Sequence, residues 1–96
     1  MKRQKAPSHP GGIIARLYLA PLNLTVVGLA RALRVSRKTV SKLINERGSI
    51  TPEMALRLSI AFNTTPHLWL NLQQDYDLWF AGRTSKNLSD VQKLAA

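Results

Sequence analysis

The chain has no cysteine, only two histidines, only five acidic residues and only two each of Trp, Tyr and Phe. Without cysteine there is neither a disulfide framework nor a thiolate metal site, an absence compatible with the reducing cytoplasm in which we expect the chain to act. The histidines, His9 and His67, lie in different segments, and neither has a partner at metal-ligand spacing. Among the acids, Asp75 and Asp77 fall on different faces of a helix and do not pair, and no Gly-rich phosphate loop occurs. These absences exclude the usual constellations of catalysis, so the expectation is a non-enzyme with no cofactor and no metal. No apolar run approaches the ~18 residues of a membrane span. The basic N-terminus is followed by a stretch that Arg16 interrupts, so no signal peptide is expected.

Positive charge is abundant. The 14 Lys and Arg residues give a net charge of +9 over 96 residues. The excess is confined to one half: residues 1–47 hold ten basic residues against Glu46 alone, whereas residues 48–96 hold four of each sign. Such asymmetry points to a polyanion bound at one end of the molecule.

Within the basic half, TVVGLARALRVSRKTVSKLINER (25–47) has the pattern of two short helices joined by a tight turn. Ser36 is a good N-cap for the second helix. At 100° per residue, Val40, Leu43 and Ile44 share the face to be buried. Lys38, Lys42 and Asn45 lie opposite, flanked by Thr39 and Ser41. In the first helix Leu29, Ala30 and Leu33 recur at helical spacing, and the small Ala30 suits a close crossing with Val40. Val35 plugs the turn, and a left-handed backbone at Arg34 is expected to cost about 1 kcal/mol relative to Gly. This is a helix-turn-helix pattern, whose second helix enters the major groove of double-stranded DNA.

The remainder reads as further helices. Residues 1–12 form a basic leader, either disordered or an arm from Lys2, Arg3 and Lys5 that touches phosphates or a minor groove, because Pro7, Pro10 and the Gly11-Gly12 pair argue against helix. Ile13 to Ala20 is a first helix ended by Pro21. Gly48 terminates the third helix. Thr51-Pro52-Glu53 opens a fourth, with Thr as N-cap and Pro at the first helical position, and Asn63 stops it. Thr65-Pro66 repeats that opening for a fifth helix, His67 to about Ala81, with Gly82 ending it. Its stripe of Leu68, Trp69, Leu72, Tyr76, Trp79 and Phe80 exceeds what one small core requires, while Leu70 and Leu78 lie off the stripe. We expect Trp69 and Leu72 in the core and a homodimer contact from Leu70, Tyr76, Trp79 and Phe80. Residues 83–96 are a polar tail, frayed or docked as a short helix through Leu88, Val91 and Leu94. Every period is 3.6 and none is 2, so the fold class is all-α with five helices, the domain spanning 13–82.

The order of parts resembles the phage-repressor (lambda-repressor-like) type of DNA-binding domain. More narrowly, HPGGIIARLYLAPLNLT (9–25), LARALRVSRKTVSKLINERGSITPEMALRLSIAFNTTP (29–66) and LWLNLQQDYDLW (68–79) resemble the HigA, or VapI-type, family of antitoxins over roughly 70 of the 96 residues. The Trp, Asn and Tyr of the last block are not dictated by helical spacing. The resemblance implies a homodimer that represses its own operon by binding operator DNA and neutralises a cognate HigB-like toxin, a small ribonuclease that cuts messenger RNA on the ribosome. The alternative is a stand-alone repressor without a toxin. A basic RNA-binding, toxin-like protein is disfavoured by the lack of clustered catalysts and by aromatics that lie on a helix, not on a stacking sheet.

For DNA contact, Arg37, Lys38, Ser41, Lys42 and Asn45 are expected to read bases, Arg37 and Lys38 foremost, because a cationic side chain can reach both guanine acceptors in the major groove. Thr25, Ser36, Thr39, Arg47 and Ser49 are expected to contact phosphates, which positions the protein without specifying sequence.

Overall fold

The computed structural model describes residues 6–96. The basic arm expected from Lys2, Arg3 and Lys5 lies outside the described residues. Five helices follow one another, and no strand occurs among the described residues. Helix α1 runs Pro10–Leu22, α2 Val26–Leu33, α3 Arg37–Ile44, α4 Pro52–Phe62 and α5 Pro66–Thr84, with a single 3-10 turn at Leu88–Asp90.

Four helix starts share one chemistry. Thr25, Ser36, Thr51 and Thr65 each sit in extended backbone, and each hydroxyl oxygen accepts from the amide three residues on. The first start differs from expectation. Pro10 is helical, at the position where its missing N–H costs nothing, and the His9 imidazole caps the helix by accepting from the Gly11 amide at 2.9 Å. Residues 9 to 12, expected in the leader, are buried. Nor does Pro21 end α1. The helix widens to a π turn over Ala15–Leu19, which relieves the contact a proline ring would make with the carbonyl four residues before it. Left-handed Asn23 stops it two residues later (φ 58°).

The turn between α2 and α3 has the left-handed residue anticipated at Arg34, with φ 61° and ψ 44°. Arg57 of α4 steadies that turn, its guanidinium donating to the Leu33 carbonyl at 2.7 Å and pairing with Glu53 at 2.7 Å. Helix α3 is stopped not by Gly48 but by Glu46 (φ 62°), after which the amides of Arg47 and Gly48 both donate to the Lys42 carbonyl. Asn63 ends α4 in the left-handed region. Helix α5 continues through Gly82 to Thr84.

The core lies where α1 to α4 meet the first turns of α5. Ile14, Leu29, Val40, Ala55, Leu58 and Trp69 have no exposed surface. Each large aliphatic side chain so buried contributes about 1.5–3 kcal/mol. Ala30 and Val40 are both buried, as the close crossing of α2 and α3 requires. Trp69 satisfies its indole N–H on the Thr64 hydroxyl at 2.7 Å, and Tyr18 stacks on Phe62 with ring centroids 4.0 Å apart.

Candidate nucleic-acid interface

Burying Val40 and Leu43 leaves the opposite side of α3 facing outward. Arg37, Lys38, Lys42 and Asn45 are exposed and Ser41 is half-buried. These five, with Arg47 and Val26, line one open cleft of about 600 Å³. All five expected base readers therefore share a single surface with the α2 N-terminus at its edge, and four cations stand on it. The Asn45 amide leans on the Ser41 hydroxyl at 3.4 Å, which sets its side chain along the helix. A cationic, concave, donor-rich surface on a short helix suits the phosphates and base edges of a DNA major groove.

The residues expected at phosphates divide. Arg47 lines the cleft. Thr25 lies at the α2 N-terminus, where its oxygen accepts from the Gly28 amide at 2.9 Å, leaving its O–H to donate outward. Ser49 is exposed on the loop after α3. Ser36 and Thr39 bond each other through their hydroxyls at 2.9 Å, so one of the two O–H groups is already used. Thr39 lies on the far flank of α3, in a smaller cleft that also holds Glu53 and Arg57.

Two residues bear on this surface in roles not read from the sequence, where His9 is weighed only as a metal ligand and Gln73 not at all. The His9 ring, whose Nδ1 takes the Gly11 amide, donates from Nε2 to the Gly48 carbonyl at 3.1 Å. Gln73 of α5, buried, accepts the Ile50 amide at 2.8 Å and donates to Asp77 at 2.9 Å. Both bonds hold the loop joining α3 to α4.

On α5, the residues expected at a dimer contact are placed unequally. Tyr76 is half-buried, its ring meeting His9 edge-on at 4.8 Å, and Phe80 stacks parallel to it at 6.3 Å while 51% exposed. Trp79 is half-buried, with its indole N–H shielded yet lacking an acceptor among the described residues, and Arg83 lies over its ring at 4.9 Å. Leu70 is half-buried against the core, whereas Leu78 is 63% exposed. Among the described residues no cluster of His, Cys, Asp or Glu could hold a metal, and no single helix is long and apolar enough to cross a membrane.

Residues 14–70 match the helix-turn-helix family model. Antitoxin HigA-1 of Vibrio cholerae is 40% identical over 78 residues, which span 81% of this chain and 73% of that protein. The chain belongs to the HigA family of helix-turn-helix proteins. An uncharacterized HTH-type transcriptional regulator of Escherichia coli K12, YbaQ, is 43% identical over 94 residues, covering 95% of this chain and 83% of that one. The solved structure of antitoxin GraA in complex with its operator superposes with a TM-score of 0.88 at 40% identity, covering 100% of this chain and 99% of that chain. The HigA-type fold thus extends over the described residues, with α3 as the outward helix of the helix-turn-helix.

Proposed function

We propose that this chain is the antitoxin of a type II toxin–antitoxin pair, a homodimer that represses its own operon in the cytoplasm and neutralises a HigB-like, mRNA-cleaving toxin. The observation that carries the DNA half is the cationic cleft on α3, in a chain whose fold follows that of an antitoxin bound to its operator. Arg37, Lys38, Ser41, Lys42 and Asn45 read bases, and Thr25, Ser36, Thr39, Arg47 and Ser49 hold phosphates. Two copies joined through the Tyr76, Trp79 and Phe80 end of α5, with Leu70 beside it, would present their α3 helices to half-sites about one helical turn apart, ~34 Å. The toxin half is supported by HigA-family membership.

The test is affinity capture of the tagged chain from its native host, with co-purifying chains identified by mass. A stoichiometric, small, basic partner that cleaves messenger RNA once released by denaturant supports the antitoxin reading. Recovery of the homodimer alone, on DNA that high salt removes, overturns it in favour of a stand-alone repressor. That second reading is favoured by the likeness to a protein described only as a transcriptional regulator.

A further inference from the structure

The loop from Glu46 to Ile50 follows α3 and carries Arg47 and Ser49, both exposed. A short exposed loop of this kind is ordinarily free to sample several conformations. This one is held from two directions. His9, 5% exposed, binds the Gly48 carbonyl from the start of α1, and Gln73, 6% exposed, binds the Ile50 amide from the middle of α5. Neither side chain is idle otherwise: His9 also caps α1, and Gln73 is oriented by its bond to Asp77. The backbone of α1 closes on the same region, for Gly11 approaches the Leu43 carbonyl so nearly that no β-carbon fits between them. The guanidinium of Arg47, by contrast, has no carboxylate within ion-pair distance among the described residues, and it lines the cationic cleft.

We propose that His9 and Gln73 are positioning residues for DNA binding, fixing the 46–50 loop so that Arg47 and Ser49 meet the phosphate backbone without further ordering. The inference rests on the operator-binding reading above and adds to it two residues that do not themselves touch DNA. Each tether removes conformational freedom that would otherwise be lost on binding, and thereby raises affinity through the loop's own contacts. His9 acts through two separable bonds. An asparagine at this position keeps a cap acceptor near Nδ1 but falls short of Gly48. A glutamine carries its amide to the place of Nε2 and reaches Gly48.

The experiment is a double-mutant cycle on the full chain. The probes are a duplex that the wild type retains from a randomised pool and an unrelated duplex of equal length. His9→Asn is expected to weaken binding to the retained duplex about tenfold in the wild-type background and by less than about twofold in an Arg47→Ala background. His9→Gln is expected to recover most of the loss. A merely structural role would weaken binding equally in both backgrounds, and that result overturns the inference. Should His9→Asn fail to fold, as judged by circular dichroism, the same cycle is run with Gln73→Met, which frees the loop at Ile50. Absence of coupling there overturns the inference as well. A wild type that retains no duplex overturns the operator-binding reading itself, and this inference with it.

Discussion

Gly11 and Gly82 show how one residue type carries opposite consequences in this fold. A β-carbon on Gly11 would overlap the Leu43 carbonyl oxygen and stand 2.8 Å from its carbon, both backbone atoms near the end of α3. Backbone cannot swing aside, so Gly11→Ala is expected to destabilise by about 3 kcal/mol, the upper range for forced overpacking. Gly82 lies inside α5 with nothing within 4 Å of the added carbon, so Gly82→Ala is expected to stabilise by about 0.5–1 kcal/mol. Denaturant melts of the two variants should shift in opposite directions. On the proposed DNA face the expected contrast is between specificity and affinity. Lys38 stands mid-face on α3 and Arg47 on the loop beyond it, both lining the cleft. Lys38→Ala should lower discrimination between operator and random duplex by roughly 1–3 kcal/mol, while Arg47→Ala should weaken both alike. Equal losses on the two duplexes for both variants would refute this division.

At the scale of elements, the helix-turn-helix and the two helices after it were legible in the sequence because their determinants are local. Ser36, Thr51 and Thr65 announce helix starts within one turn, Asn63 announces a stop, and the 3.6 period assigns Val40 and Leu43 inward against Lys38 and Lys42 outward. What escaped is set by distant contacts. Pro10 and the glycine pair read as helix breakers, and only the Leu43 carbonyl, far along the chain, explains why α1 must be bare at Gly11. The tethers on the loop after α3 join residues 39 and 23 positions apart, beyond any local pattern. Helix α5 is the intermediate case: its periodicity places Trp69 in the core, yet the same periodicity cannot say what covers the other end. There Leu78 and Phe80 remain 63% and 51% exposed on one helix, with the shielded Trp79 N–H between them. A charge at Phe80 would have to be desolvated in a dimer formed through that face but not in a monomer. Phe80→Glu should therefore yield a folded monomer by light scattering, and untethering the two half-sites should lower operator affinity by about 10²-fold or more. A Phe80→Glu protein that remains dimeric would place the contact elsewhere.

For the molecule as a whole, the decisive quantity is how many phosphates one binding unit neutralises. The net charge of +9 is carried entirely by the half that contains α1 to α3, so the opposite end of the chain contributes no net attraction to DNA. Four cations, Arg37, Lys38, Lys42 and Arg47, line the cleft in each copy. Each cation brought into the groove, whether its head group ends on a base edge or on a phosphate, displaces condensed counterions, which makes log K fall linearly with log salt at about −0.9 per cation on duplex DNA. A dimer using roughly eight contacts should show a slope of about −7, whereas a single copy with four should show about −3.5. Between 50 and 200 mM salt these slopes separate into an affinity loss of about 10⁴-fold against about 10²-fold. A salt titration with the wild type and with Phe80→Glu therefore tests stoichiometry and interface together. The wild type should follow the steep line and the variant the shallow one. A wild type that follows the shallow line binds as a monomer, and its operator would then need no two-fold symmetry.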